Sequence, residues 1–127
     1  VIALWDPSGY FYSGKILVVY DNLTADIKFY NGHKQLNQIF KLIIINKRSK
    51  LKVGDYVMAN IINEYDQECW IPGIVKSIEY DSESDQFIYS IIYFNGEEGQ
   101  NLNSQLIKIG KSMYDYLVEF FVTRASR

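Results

Sequence analysis

His33 and Cys69 are the only imidazole and the only thiol in this chain of 127 residues. A thiol nucleophile needs a base within hydrogen-bond reach. His33 lies in an Asn-Gly turn and Cys69 in a distant segment beside Trp70, so a Cys–His pair would need contact between two separate parts of the chain. Together they supply two ligands, short of the four a structural zinc takes. The acids Glu64, Asp66, Glu68, Glu79, Asp81, Glu83 and Asp85 fall in polar loops and lack calcium-loop spacing. No glycine-rich phosphate loop follows a strand and opens a helix. The expectation is a protein that is not an enzyme and holds neither metal nor cofactor.

The side chains left to do chemistry are aromatic: eleven Tyr, seven Phe and two Trp, 16% of the chain. A methylated ammonium or guanidinium keeps its charge but loses donors and hydration. Aromatic faces attract such a cation by about 0.5–2 kcal/mol each. A neighbouring carboxylate or amide selects lower methylation states by accepting a remaining N–H.

The aromatics recur in order. VIALW, YFYSGKILVVY and IKFYNG in the first half correspond to VMANI, WIPGIV and IIYFNG in the second. An internal repeat makes a unit of half the chain the thing to explain. Each half contains β-branched and aromatic runs bounded by turn residues. The first half predicts strands over 1–5, 10–20, 25–30, 34–40 and 42–45. The second predicts them over 56–62, 70–80, 86–94, 99–102 and 106–109. Asn31-Gly32 and Asn95-Gly96 are hairpin signals, and Gly14 suggests a bulge or bend. Ser112-Met113-Tyr114-Asp115 has capping-box form, and apolar residues at helical spacing follow to about Thr123. Its apolar face packs on the second unit or receives a partner.

Net charge is −2, which does not suggest a general nucleic-acid binder. Residues 1–55 hold eight Lys/Arg and four acids, and 56–127 hold five and eleven. Lys47, Arg48, Lys50 and Lys52 form a basic stretch between the repeats. It reads either as a solvated linker or as a contact for phosphate or an acidic peptide. At 48% hydrophobic, without a run of ~18–20 apolar residues, the chain has no spanning-helix pattern. One cysteine suits a reducing, intracellular compartment.

Trp5, Gly9 and Tyr12 followed by Phe29-Tyr30-Asn31-Gly32 resemble a Tudor domain, and the two repeats resemble a tandem of them. VGDYVMANI, CWIPGIV and NSQLIKI are also similar to a Tudor-like domain of animal proteins carrying von Willebrand A modules. The resemblance implies an all-β protein: two five-stranded SH3-like barrels over 1–46 and 53–110, a linker over 47–52, and a helix and tail over 111–127. It implies a nuclear location ahead of a cytoplasmic one, and a methylated or basic protein tail as partner. The alternatives are a scaffold that binds protein without methyl dependence, or nucleic acid through the basic stretch.

Carried over position by position, the cage of the first barrel is Trp5, Tyr12 and Phe29, with Tyr30 beside it and Asp6, Asn31 and His33 as polar neighbours. Phe29 and Tyr30 alternate faces, and Phe29 matches the cage better. The three rings are expected to meet in a partly open pocket. The second barrel places Ile61, Ile71 and Tyr93 at those positions, with Tyr65 able to swing in from a loop. The competing reading of all these rings is that small barrels need large side chains in their cores.

Overall fold

The computed structural model describes residues 1–5, 10–38, 43 and 50–125. Among these residues, nine antiparallel strands and one long helix follow in chain order: β1 (Ile2–Trp5), β2 (Tyr10–Val19), β3 (Thr24–Phe29), β4 (Lys34–Gln38), β5 (Tyr56–Ile62), β6 (Glu68–Asp81), β7 (Gln86–Tyr93), β8 (Glu98–Leu102), β9 (Leu106–Ile109) and α1 (Lys111–Ala125). The alternating patterns foretold these nine strands closely. Of the strand expected over 42–45, Ile43 is described, bridged to Ile2. The rest of that stretch lies outside the described residues.

Two compact units emerge. The first gathers residues 1–46 with 61–70, and the second gathers 47–60 with 71–127. Residues 61–70, read from sequence as part of the second repeat, therefore cluster with the first. β5 and β6 each give residues to both units, so the strands are not parcelled into two self-contained barrels. A short 3₁₀ turn at Asn103–Gln105 joins β8 to β9.

In the first unit β1 pairs with β2, β2 with β3 and β3 with β4. β3 alternates strictly, with Ala25, Ile27 and Phe29 buried and Lys28 exposed. In the second unit β7 pairs with β6 and β8, and β5 with β9. Its core is built from Leu51, Val57, Val75, Tyr89, Ile91 and Leu106.

The repeat reappears as matching register. Gly14 faces Phe29 across β2–β3, and Gly73 faces Tyr93 across β6–β7. Each ladder shifts register a little beyond its glycine, between Ile16 and Val18 and between Val75 and Ser77. The glycines themselves serve close approach rather than the bulge. A Cβ at Gly14 would meet Ile27 Cγ2 at 2.8 Å, and one at Gly73 would meet Ile91 Cγ2 at 2.6 Å. Both Asn-Gly turns put glycine at positive φ (90° and 86°). In each, the Asn Oδ1 accepts the N–H two residues on, from His33 and from Glu97, at 3.0 Å.

α1 begins one residue before the expected Ser112. Tyr114 N–H donates to Gly110 C=O at 3.0 Å, and Asp115 pairs with Lys111 at 2.8 Å rather than closing a box on Ser112. Within the second unit Leu117 and Phe121 are buried. Phe121 stacks on Phe94 with ring centroids 4.8 Å apart, and Tyr114 lies 4.7 Å from Tyr56. The apolar stripe thus faces its own unit. The linker reading also changes: Leu51 is in the core, while Lys50 and Lys52 are exposed on either side of it. Lys47 and Arg48 lie outside the described residues.

Candidate functional site

Trp5 ends β1 with its Cα opposite Tyr10; its side chain, like Asp6, lies outside the described part of the structure. Tyr12 and Phe29 are core residues, 1% and 2% exposed, so their rings do not form the open cage expected. The reason is pleat direction: Phe29 shares the inward face of β3 with Ala25 and Ile27. Tyr12 is held by a buried polar network. Its hydroxyl donates to Gln67 Oε1 at 3.0 Å and accepts from Asn63 Nδ2 at 3.3 Å. Asn63 Oδ1 in turn accepts the N–H groups of Tyr65 (2.9 Å) and Gln67 (3.1 Å). In the sequence Asn63 is one polar residue among several after β5. The signal was its spacing to Tyr65, the same Asn-x-N–H turn made by Asn31 and Asn95.

Tyr30 faces out, 56% exposed, with its ring 6.0 Å from that of Tyr12. It borders a hollow of about 390 Å³ lined by Ser13, Gly14, Lys15, Lys28, Phe29 and Tyr30. A unit charge 4 Å from another in water costs or gains about 1 kcal/mol. That is as much as an exposed cation–π contact yields. Lys15 and Lys28 therefore cancel what Tyr30 offers a cation, and this hollow disfavours a basic ligand. Tyr65 is 67% exposed in its loop. Tyr93 is tied down: its hydroxyl donates to Asn101 Oδ1 at 2.9 Å, and its ring covers Gly99. Burial raises its pKa. Trp70 is buried too, its Nε1–H donating to Ser13 Oγ at 2.9 Å.

A second hollow, about 530 Å³, lies at the β2–β3 turn and is lined by Tyr20, Asp21, Asn22, Thr24, Asp26 and Leu36. Tyr20 Oη donates to Asp26 Oδ2 at 2.5 Å, which with partial burial and the Asp26 charge raises the Tyr20 pKa. The bond aims the carboxylate while leaving Oδ1 to a ligand. Around it, Val18 (46%), Leu36 (56%) and Leu23 (68%) are exposed. This hollow joins an aromatic face, two carboxylates and apolar surface, the chemistry a basic or methylated side chain requires. Neither Tyr20 nor Asp26 stands out in the sequence; register across a hairpin brings them together.

Cys69 is fully buried and its thiol is pushed up to about 12 by burial and by the Glu64 charge, from an ordinary 9.0. The thiolate is the reactive form. The native protein is therefore expected to resist alkylation at pH 8 and to react once unfolded, as thiol counting with and without urea would measure. Fast native labelling would contradict the burial. The unfolded chain ionises this thiol near pH 9 and the folded one near 12. Its contribution to stability is thus intact below pH 9 and is lost as pH rises from there toward 12. Among the described residues no group of three His, Cys, Asp or Glu could hold a metal ion. No described helix is long and apolar enough to cross a membrane.

The fold, all-β with one C-terminal helix, is similar to that of a solved plant domain. The SAWADEE domain of Arabidopsis thaliana SHH1, as a selenium-substituted double mutant, aligns with a TM-score of 0.52 at 13% identity, covering 87% of this chain and 96% of that one. The SHH1 SAWADEE domain solved in complex with an H3K9me3 peptide aligns with a TM-score of 0.50 at 16% identity, covering 86% and 96%. Comparison with curated proteins gives no match. A family model matches residues 1–121, and the chain belongs to that family, described as domain of unknown function DUF4537. The Tudor resemblance fits this fold loosely, while the tandem arrangement and the link to von Willebrand A modules gain no support from these matches.

Proposed function

We propose that this domain is a non-catalytic recognition module for a basic protein tail, methylated lysine or arginine included, acting in the nucleus. The observation that carries the reading is the Tyr20–Asp26 hollow, an acidic and aromatic seat for a cation. It occurs in a fold similar to that of a domain solved with an H3K9me3 peptide. In this reading Asp21 and Asp26 attract the charge, Tyr20 offers its ring, and Leu36 contacts methyl or methylene groups. The tandem of two Tudor-like barrels belongs to the same proposal, with its strands exchanged at residues 61–70.

A scaffold role without methyl dependence is the second reading, favoured by the burial of Tyr12 and Phe29. Methylation leaves charge unchanged, so charge alone gives no methyl preference. The test compares a trimethyllysine or dimethylarginine peptide with its unmodified form at fixed ionic strength. The methylated form is expected to bind about two- to fivefold more tightly, the value of one exposed cation–π contact. Tyr20→Ala should remove the difference, and Asp26→Asn should weaken both forms. Equal affinity for modified and unmodified peptide would sink methyl reading and leave the scaffold.

A further inference from the structure

The outer face of β2, β3 and β4 is ordered by charge. Lys15 stands opposite Lys28, and Lys28 opposite Lys34, so three exposed lysines lie in one row across three strands. Neighbouring strands are about 4.8 Å apart, and like charges placed directly opposite destabilise a sheet. None of the three has a carboxylate partner among the described residues. The next row on the same face is Val18, Asp26 and Leu36, again in register. Beyond it lie Thr24, Tyr20 and Asp21, at the acidic hollow. One face thus passes from the cationic row to the anionic hollow within a few residues, with exposed Val18 and Leu36 flanking Asp26, and the two hollows lie at its two ends.

We propose that this face reads a peptide by charge order: a basic side chain enters the Tyr20–Asp26 hollow, and an acidic or phosphorylated side chain of the same peptide sits on the Lys15–Lys28–Lys34 row. This rests on the tail-binding reading above and adds the second half of the ligand. Both seats open on one face, and Asp26 and Thr24 precede Lys28 by two and four residues. An extended peptide lying along the strands alternates its side chains with period two. The basic and acidic residues of the ligand must therefore be separated by an even number of positions. The lysine ammonium groups suit a phosphate, which accepts several charge-assisted hydrogen bonds, and the Ser13 hydroxyl, which accepts from Trp70 Nε1–H, lines the same end. A peptide, rather than nucleic acid, is the occupant because the acidic hollow shares the face and would repel a polyanion.

The test uses the full chain and synthetic peptides of neutral backbone bearing one lysine, or one lysine and one phosphoserine at a spacing of two, three or four. Binding is read by fluorescence anisotropy. Phosphoserine at an even spacing is expected to tighten binding about fivefold over the lysine-only peptide, with no gain at three. Lys15→Gln with Lys28→Gln should abolish the gain without weakening the lysine-only peptide, because the charges removed repel a cation. An equal gain at every spacing, or a gain that survives the double substitution, overturns the proposal and leaves the tail-binding reading intact. Tighter binding of a single-stranded oligonucleotide, lost in the same lysine variant, overturns it in favour of nucleic acid. Failure of every peptide, lysine-only included, overturns both readings together.

Discussion

Replacing Gly73 with alanine is expected to destabilise the protein by about 3 kcal/mol, at the upper end for overpacking a core. The added Cβ would stand 2.6 Å from Ile91 Cγ2 and 3.0 Å from the Ile92 carbonyl oxygen. Neither neighbour can yield easily. Ile91 is fully buried in the core of the second unit, and the carbonyl belongs to the β6–β7 ladder. Denaturant unfolding would report the change as a lower midpoint at constant m-value. Gly96→Ala is the control. Nothing lies within 4 Å of its Cβ, and the cost there is the positive φ of 86° alone, about 1–2 kcal/mol. Gly73→Ala combined with Ile91→Ala should cost less than the two changes added, because the second removes the atom the first collides with. A Gly73→Ala variant as stable as the parent would show that β6 does not approach β7 as described.

Asn63→Ala is the second large effect, expected at about 3 kcal/mol. The side chain is buried and makes three hydrogen bonds: two shape the β5–β6 turn, and one reaches Tyr12. Each such bond contributes about 1 kcal/mol net, and leaving buried partners unpaired costs more. Tyr12→Phe should cost about 1 kcal/mol, and the double variant less than the sum, since both changes break the same contact. Asn95→Ala provides the comparison, because that Asn makes the same kind of turn in an exposed hairpin. Should Asn63→Ala prove no costlier than Asn95→Ala in urea titrations, the buried network carries no stability.

Much of the strand order was legible from the residues. β3 alternates because Ala25, Ile27 and Phe29 bury while their neighbours do not. The two Asn-Gly turns set their hairpins because glycine alone takes the required positive φ comfortably. The site was less legible. Phe29 and Tyr30 are both aromatic, so alternation says that they diverge without saying which goes inward. Tyr20 and Asp26 meet only because β2 shifts register between Ile16 and Val18, and a bulge leaves little trace in composition. The lysine row is likewise a product of register: Lys15, Lys28 and Lys34 are unremarkable in sequence and aligned only once the strands pair. The reassignment of residues 61–70 was hidden because β5 and β6 read as ordinary members of the second repeat.

That reassignment bears on how such a chain can change over generations. Repeats joined end to end can be gained, lost or shuffled one at a time, because a single cut frees a whole unit. Here the backbone passes from one unit to the other at three places, after residues 46, 60 and 70. No single cut yields a complete half: a piece ending at 46 leaves Tyr12 without Asn63 and Gln67. The duplication still visible in the glycines and Asn-Gly turns is therefore locked, and the two halves must be inherited together.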